Sequence, residues 1–410
     1  MLMAPLLMRI THVLAVAAAS TLGLGLLAAP AGGSSAHTGA SSVVPAVAAD
    51  REAATRAAGP RIRVRVVKRG LDHPWDLTFL PGGGMLYTQR DRLSIRHRTP
   101  SGRDRVVRIR EGGMWNSGEA GLMSILATRN FEKSRQFYTC HANRADRPSG
   151  HDVRVVLWRL ANDARKASRV RTIVSGLPTV SGRHSGCRLR YGREGALYIG
   201  TGDAARTGVS QNLASGGGKV LRVRPGTGKA WPGNPFAQAG KAMKRRVYTY
   251  GHRNVQGLAL RPGAGMWAVE QGTYRDDEVN RLKAGGNYGW QAGPGYDESR
   301  PMTDFSLPGR QIGARWSSGN PTIATSGATF LRGKRWGVWQ GALAVGVLKD
   351  SQIRILAFNE AGRFVRAWTP SKLNTGYRMR SPVMGPDGNL YITTDNGGGS
   401  DRILKVVPGG

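Results

Sequence analysis

Acidic residues, cysteines and helix-forming patterns are scarce in this chain, and each shortage excludes a class of protein. Its 410 residues include 26 aspartates and glutamates against 60 lysines and arginines, and only two cysteines. Two cysteines are too few to cross-link a disulfide-rich scaffold or to form a cysteine-only zinc site. Long stretches of helical periodicity are nearly absent, which argues against a helical bundle. Only Ala161–Ser168 and Phe236–Lys244 have a helical pattern, and both segments are short.

Glycine and short apolar strands take the place of helices. The chain has 58 glycines, about double the usual share of roughly 7%. In one recurring phrase, a turn of Pro, Gly or Asp leads through glycine into aromatic and β-branched residues. Its copies are Leu80–Thr88, Tyr191–Gly200 and Gly385–Thr394, with weaker copies at Arg261–Val269 and Gly333–Val345. Repeated turn–strand units favour an all-β fold built by radial repetition, a β-propeller, over a β-sandwich with ordinary hairpins.

The first 31 residues have the features of a secretory signal peptide. Arg9 and His12 precede the apolar run Val13–Ala29, and small residues continue to Ala31. A second cleavage signal lies at Ala46–Ala48, and the lack of a nearby cysteine excludes a lipoprotein. We therefore expect an exported protein, secreted or associated with the cell envelope. Its parts would be a signal peptide (1–31), a disordered spacer (32–60) and one propeller domain (61–410).

Export would place the two cysteines in an oxidising compartment. In an oxidising compartment an even number of cysteines favours a disulfide, so we predict a bond between Cys140 and Cys187. Two buried free thiols are the alternative. Cys187 lies three residues after His184, and the bond would therefore brace the loop that carries this histidine.

The formal net charge of +34 bears on partners rather than on fold. For an exported protein, anionic cell-wall polymers or lipid headgroups are the expected counterparts, so an anionic cell-envelope surface is a candidate partner. The basic residues lack aromatic interleaving and any nucleic-acid motif, and we expect no specific nucleic-acid binding. An arginine-rich solvated surface without a dedicated partner is the alternative.

The stretch Ser181–Asp203 combines a lone histidine with one copy of the repeated strand. His184 lies among small residues in a loop that leads into this copy. Function is often carried by loops on a rigid scaffold, which makes His184 a candidate for catalysis. The alternative is that His184 only caps a turn.

Seven segments together resemble the secreted soluble glucose and aldose sugar dehydrogenases, the glucose/sorbosone dehydrogenases. They occur in family order: Leu71–Asp76 (LDHPWD), Gly118–Met123 (GEAGLM), the His184 segment, Tyr250–Gly257 (YGHRNVQG), Asp277–Asn280 with Gly286–Trp290 (DEVN, GNYGW), Lys349 and Tyr377–Arg380 (YRMR). The resemblance implies a six-bladed β-propeller with pyrroloquinoline quinone (PQQ) over its central channel. About 350 residues would give each blade about 58, more than the roughly 40–45 of a minimal blade.

The resemblance assigns roles to individual residues. His184 matches the catalytic base, and an imidazole with a pKa near 6.5 suits the removal of a hydroxyl proton. The positions that match PQQ-binding residues are Glu119, Arg253, Asn254, Lys349, Arg378 and Arg380. PQQ is a planar tricarboxylate, so permanent cations fit it, and two arginines two residues apart on a strand would point to one face.

Calcium is the metal that the resemblance implies. Gly272 and Thr273 match positions that offer backbone carbonyls to the quinone-bound ion, while Glu278 and Tyr288 match a second site. The family motif Glu-His-Gly-Pro is Glu-Gln-Gly-Thr here. A surface salt bridge is the alternative for Glu278.

One departure concerns the substrate. Arg183 stands before His184, where relatives often have Asp or Asn that holds substrate, so an acidic sugar or a polyol becomes conceivable. Our leading interpretation is an exported PQQ- and calcium-dependent dehydrogenase. It would oxidise an aldose sugar or related polyol, with electrons passing to an external acceptor because no haem or flavin motif is present. A non-catalytic propeller that binds polyanions and a calcium-dependent propeller lactonase are the alternatives.

Overall fold

The computed structural model describes residues 59–145 and 150–409. The predicted signal peptide and residues 32–58 of the predicted spacer lie outside the described residues. The strands are β1 (Ile62–Leu71), β2 (Leu77–Phe79), β3 (Met85–Gln89), β4 (Ser94–Arg98), β5 (Asp104–Ile109), β6 (Leu122–Ala127), β7 (Gln136–Arg144), β8 (His151–Leu160), β9 (Lys166–Leu177), β10 (Arg188–Tyr191), β11 (Leu197–Gly200), β12 (Lys219–Val223), β13 (Val247–Tyr250), β14 (Val255–Arg261), β15 (Gly265–Glu270), β16 (Glu278–Arg281), β17 (Trp316–Ser317), β18 (Thr325–Phe330), β19 (Leu343–Val347), β20 (Gln352–Phe358), β21 (Phe364–Trp368), β22 (Met379–Met384), β23 (Leu390–Thr394) and β24 (Asp401–Pro408).

Helices are few and short in this part of the chain. The α-helices are α1 (Phe131–Ser134) and α2 (Ala242–Arg246), and 3₁₀ turns occur at Pro81–Gly83, Pro294–Tyr296, Lys334–Trp339 and Ser371–Leu373. None of the described helices has the length and apolar character required to span a bilayer.

The described strands form five sheets. Four of them have four strands, in the orders β1–β24–β23–β22, β10–β11–β12–β13, β14–β15–β16–β17 and β18–β19–β20–β21. The fifth has eight, in the order β2–β3–β4–β5–β9–β8–β7–β6. Within it β5 and β9 pair in parallel over only two residue pairs, Arg108 with Lys166 and Ile109 with Ala167. This sheet therefore consists of two antiparallel four-stranded groups joined at their edges. The all-β prediction is confirmed.

Each copy of the repeated phrase forms the turn into the second strand of a four-stranded group. These second strands are β3, β11, β15, β19 and β23. The turn closes with similar hydrogen bonds in different copies, for example Gly192 N to Ala196 O at 2.9 Å and Gly385 N to Asn389 O at 2.8 Å. In the remaining group α1 lies between β6 and β7, which explains why that copy is not recognisable in the sequence.

Apolar strands are buried on both faces because each sheet packs between neighbours. Every residue of β3, β11, β19 and β23 is buried. One cluster packs Tyr138 and Val155 of one group against Leu189, Leu197 and Leu221 of the next. Burial on both faces accounts for the nearly continuous apolar runs in these strands.

The first strands of four groups converge on one buried guanidinium, that of Arg188 at the start of β10. It forms an ion pair with Asp76 at 2.9 Å and hydrogen bonds at 2.8 Å to Gln256 O and Ser381 Oγ. It also stacks on the Trp75 ring at 3.9 Å. Burial lowers the pKa of Arg188 to about 9. Polar residues of these strands thus meet at one centre, beside which the candidate site lies.

Of the two segments predicted as helices, one is not helical. The prediction for Ala161–Ser168 is wrong, because this segment turns back through Ala164, at φ 53°, and continues as β9. The hydrogen bond from Ala161 N to Lys166 O closes this hairpin. Phe236–Lys244 overlaps α2 only at its end.

Candidate active site

His184 is buried in the loop between β9 and β10, with its side chain held by a carboxylate. Its Nδ1 lies 2.9 Å from Asp203 Oδ1 and 2.8 Å from the hydroxyl of Tyr296. A carboxylate beside Nδ1 favours the tautomer with the proton on Nδ1. No described residue forms a hydrogen bond with Nε2, so this nitrogen is available to accept a proton.

Asp203 is itself fixed by donors on both carboxylate oxygens. Trp290 Nε1 donates to Oδ2 at 2.7 Å, and the Tyr296 hydroxyl donates to the same oxygen at 2.8 Å. The Ala205 N–H donates to Oδ1 at 2.9 Å. A carboxylate held in this position can stabilise a positive charge on His184.

Glycine allows the histidine loop to approach the strand that precedes Asp203. A Cβ placed on Gly202 would lie 1.8 Å from the carbonyl oxygen of His184. Only glycine fits there, which explains the Thr-Gly-Asp ending of this copy of the repeat. The predicted disulfide is present between Cys140 in β7 and Cys187, with Cα atoms 5.9 Å apart. It ties the histidine loop to a neighbouring group, and this prediction is confirmed.

Glu119 joins the histidine loop to β14. Its carboxylate accepts hydrogen bonds from the His184 N–H at 3.0 Å, from Asn254 Nδ2 at 2.8 Å and from Gln256 Nε2 at 3.0 Å. Gln256 in turn accepts a bond from Arg380 Nη1 at 3.2 Å. The structure thus brings four of the sequence-predicted residues, His184, Glu119, Asn254 and Arg380, into one network.

A cavity of about 500 Å³ opens beside this network. Its lining includes three arginines, Arg90, Arg378 and Arg380, as well as Glu119 and Asp395. Arg380 is buried and pairs with Asp395 at 2.6 Å, yet its Nε has no hydrogen-bond partner. Although burial alone would raise the pKa of Asp395, Arg380 outweighs it and lowers that pKa.

Two of the predicted basic residues lie at the edge of this cavity. Arg378 immediately precedes β22, is exposed, and donates from Nε to Asp395 O at 3.1 Å. Lys349 is also exposed; it follows Leu348, which lines the cavity, but its own side chain is not part of the lining. The structure therefore brings Arg378 to the cavity and leaves Lys349 outside it.

Arg183 and Arg253 share one carboxylate, that of Glu298. An Nη2 atom of each arginine contacts a Glu298 oxygen. Arg253 is buried, donates to Gln271 O at 3.1 Å, and has no partner for Nε. Partial burial alone would raise the pKa of Glu298, but the two guanidinium groups outweigh it and lower that pKa. Glu298 thus neutralises one of these two positive charges, and both arginines share it.

Glu278 is buried rather than part of a surface salt bridge. It pairs with Glu270 across β15 and β16, and the Asn280 amide donates to both carboxylates, at 2.9 and 3.1 Å. Burial, followed by the neighbouring Glu270, raises the pKa of Glu278 to about 8. The Asn280 Oδ1 atom is buried without a partner. Two adjacent carboxylates and an unpartnered amide oxygen are hard oxygen ligands, which suit a cation such as calcium.

The other metal-ligand candidates surround this region. Gly272 is buried and donates its N–H to Asp277 Oδ1 at 2.9 Å, and Thr273 Oγ1 has no partner. The Tyr288 ring stacks on His252 at 4.6 Å, with its hydroxyl donating to Arg281 O at 2.7 Å. The Tyr288 hydroxyl is thus already engaged, and only its carbonyl is left as a ligand.

Sequence reasoning missed Asp203, Trp290, Tyr296, Gln256 and Glu298 as functional residues. Asp203 and Trp290 end segments that were recognised in the sequence, and Gln256 lies inside one. These segments could have identified the three residues as candidates. Tyr296 lies more than 90 residues from Asp203 and His184 in the chain, and Glu298 lies 45 residues from Arg253 and 115 from Arg183. No local pattern marks them.

The chain was compared with known proteins. Residues 71–405 match the model of the glucose/sorbosone dehydrogenase family. The chain is 30% identical over 366 residues to the aldose sugar dehydrogenase of Escherichia coli strain K12, an alignment covering 86% of this chain and 94% of that relative.

Solved structures agree. The soluble aldose sugar dehydrogenase of Escherichia coli in its apo form superposes with a TM-score of 0.75, at 28% identity, covering 85% of this chain and all of that one. The PQQ-bound form of aldose sugar dehydrogenase from Streptomyces coelicolor superposes with a TM-score of 0.68, at 27% identity, covering 85% and 99% of the two chains.

Proposed function

Because this chain belongs to the glucose/sorbosone dehydrogenase family, we propose that it oxidises aldose sugars, with PQQ as cofactor and calcium as metal. The observation that carries this proposal is His184, whose Nδ1 is held by Asp203 while Nε2 faces no described partner. We further propose that the six four-stranded groups are the blades of a propeller around the centre occupied by Arg188.

The residues around the 500 Å³ cavity fit a planar tricarboxylate. Buried guanidinium groups with an unpartnered Nε, at Arg380 and Arg253, offer donors that the protein itself does not use. Arg380 lines the cavity together with Arg90 and Arg378, whereas Arg253 lies outside this lining. The forked donors of arginines suit carboxylates. Glu119, Asn254 and Lys349 are proposed to complete the binding site, Lys349 from the rim.

Calcium fits the paired carboxylates Glu270 and Glu278. A divalent cation would offset the cost of burying both in ionised form, and Asn280 Oδ1 supplies a further unused oxygen. The carbonyl oxygen of Tyr288 is proposed as an additional ligand of this ion, and the carbonyl oxygens of Gly272 and Thr273 are proposed as ligands of a separate calcium ion that binds with PQQ. The side chains that replace the family's His and Pro in this motif do not prevent carbonyl ligation.

The protein's own residues would manage the proton of the reacting hydroxyl group. Bound PQQ supplies an acceptor for the hydride that leaves the sugar carbon. His184 Nε2 accepts the hydroxyl proton, and the Asp203 carboxylate stabilises the resulting imidazolium. Tyr296 and Trp290 hold Asp203 in place, while the Glu119 contact to the His184 N–H fixes the loop.

The substrate is proposed to be a neutral aldose or polyol rather than an acidic sugar. Arg183 would attract an anion if its charge were free, but its contact with Glu298, which it shares with Arg253, weakens that attraction. Glu298 and Arg183 instead offer an acceptor and donors to sugar hydroxyls. We propose export through the N-terminal signal peptide, transfer of electrons to an external acceptor, and contact of the basic surface with an anionic cell envelope.

Calorimetric titration of PQQ into the purified mature chain tests this proposal, with and without calcium, followed by dye-linked oxidation of a panel of aldoses and polyols. We expect PQQ to bind at micromolar or lower concentration only with calcium, and at least one aldose to reduce the dye. No PQQ binding with calcium present would overturn the proposal and favour the polyanion binder. Hydrolysis of lactones by the calcium form without PQQ would instead indicate the lactonase.

A further inference from the structure

The larger of the two cavities described here lies away from His184. Its volume is about 1090 Å³, against about 500 Å³ for the cavity beside Glu119. The two cavities lie at opposite ends of the same strands. In β14, Gln256 lines the smaller cavity and Leu258–Arg261 the larger one; in β22, Arg380 lines the smaller and Val383 the larger.

A buried layer lies along the strands between the two cavities. Arg188, Trp75, Asp76 and Ser381 form it through the ion pair, hydrogen bonds and stacking contact that centre on Arg188. Trp75 and Asp76 lie just before β2, and Arg188 and Ser381 lie in β10 and β22. In each of these strands the residues that follow line the larger cavity. The larger cavity is therefore a separate site.

The larger cavity is strongly cationic. Its lining contains five arginines and one carboxylate, that of Glu194: Arg190, Arg193, Arg222, Arg261 and Arg332. Arg190 shares the Asp76 carboxylate with Arg188, and Arg222 lies 3.7 Å from Glu194. Arg261 donates only to the backbone carbonyls of Asn359 and Phe358, at 2.8 and 2.7 Å.

Two of these arginines carry uncompensated charge at the mouth. Arg193 and Arg332 are exposed, and no described carboxylate forms an ion pair with either of them. With Arg261 they present three positive charges to one concave surface. Such a surface attracts an anion with several negative groups.

Aromatic rings also line this cavity. Phe79, Tyr191, Trp231 and Tyr248 are each half-buried, and Phe330 is buried. Arg222 lies over the Tyr248 ring at 4.7 Å and Arg261 over the Phe330 ring at 5.9 Å. A half-buried ring such as Trp231 beside charged donors suits a ligand that has both ring faces and carboxylates. The volume is at the upper end of the roughly 300–1,000 Å³ of ordinary ligand cavities, so a chain of several sugar rings fits better than one.

We propose that this cavity binds an acidic oligosaccharide, a short chain of uronic acid units. The aromatic rings contact the sugar faces, and Arg193, Arg261 and Arg332 pair with the carboxylates. Such a site would hold the enzyme on an acidic polysaccharide while the opposite face stays open. The inference does not depend on PQQ or on dehydrogenase activity.

Calorimetry with trigalacturonate as the probe tests the proposal on the mature chain. The charge reversals Arg193→Glu and Arg332→Glu together should weaken binding at least tenfold. The matched control reverses two exposed arginines that line neither cavity, Arg171→Glu with Arg310→Glu. This control has the same net charge and should bind within about threefold of the wild type. Circular dichroism of both variants verifies that they fold.

The uncharged trisaccharide maltotriose and a single-stranded oligonucleotide separate the alternatives. We expect maltotriose to bind far more weakly than trigalacturonate. Equal loss of trigalacturonate binding in the test and control variants would mean that net charge, not this cavity, holds the ligand, and would overturn the proposal. So would no trigalacturonate binding, or oligonucleotide binding that is tighter and equally sensitive to the Arg193 and Arg332 reversals.

Discussion

Replacing Asp203 by asparagine isolates the electrostatic role of the carboxylate beside His184. The side chain keeps its size, but the charge 2.9 Å from His184 Nδ1 is lost. At that distance and an effective dielectric constant of about 20, a carboxylate stabilises an imidazolium by about 6 kcal/mol. If reorganisation of neighbouring dipoles recovers about half, about 3 kcal/mol remains, which corresponds to a loss of about 10²-fold in turnover.

The assay is dye-linked oxidation of the best aldose, measured with saturating PQQ and calcium. His184→Ala provides the reference, with an expected loss of about 10²–10⁴-fold if this side chain is the base. Tyr296→Phe is the matched control, because it removes the hydroxyl that contacts Asp203 and His184 Nδ1 but leaves the charge of Asp203. We expect this variant to stay within about tenfold of the wild type.

Binding and turnover must separate in these variants. PQQ affinity should change by less than about threefold in Asp203→Asn, because Asp203 does not line the cofactor cavity. The reasoning is refuted if Asp203→Asn turns over within threefold of the wild type while His184→Ala is inactive. In that case the histidine acts without its carboxylate.

Three further predictions concern stability. Burial lowers the pKa of Lys219 to about 7, below its unfolded value near 10.4, so folding releases a proton between these limits. The free energy of unfolding in urea, taken as wild type minus Lys219→Met, should therefore rise by about 2–3 kcal/mol between pH 7 and pH 9. A difference that does not change with pH contradicts this prediction. Replacing both Cys140 and Cys187 by serine should cost about 2–4 kcal/mol and lower turnover; full activity would show that the bond does not brace the catalytic loop. Calcium at about 100 times its Kd should stabilise the wild type by about 2.7 kcal/mol relative to the protein in EDTA, which is measured as a rise in melting temperature. Glu278→Gln should abolish this rise, and Glu360→Gln, at an exposed position, should keep it. An unchanged rise in Glu278→Gln would place the ion elsewhere.

The sequence revealed the repeating unit because that unit is local. The turn into the second strand needs glycine and a polar turn residue within a few positions, so five copies could be read directly. The copy before β7 was invisible since α1 occupies the turn. Ala161–Ser168 was misread as helix because its alanines favour helix locally, while the β8–β9 hairpin determines its conformation.

The candidate site was partly predictable for a similar reason. His184, Glu119 and Asn254 lie in phrases recognisable one at a time, and they do meet. Tyr296 and Glu298 come from the long connection between β16 and β17, and only the packing of this connection against the histidine loop brings them to His184 and Arg183. Contacts set by tertiary structure alone leave no periodic signal in sequence.

The net charge of the chain does not distinguish buried, paired arginines from exposed ones, whereas the structure does. The arginines nearest the candidate catalytic network are paired internally, Arg253 with Glu298 and Arg380 with Asp395, and the central Arg188 is paired with Asp76. The scarce acidic residues thus pair with cations where chemistry is proposed, although Glu298 and Asp76 are each shared by two arginines. Exposed residues such as Arg193 and Arg332 add further positive charge, where screening by salt is strong. Surface charge would then govern where the protein binds, and the paired interior would govern which bond it oxidises.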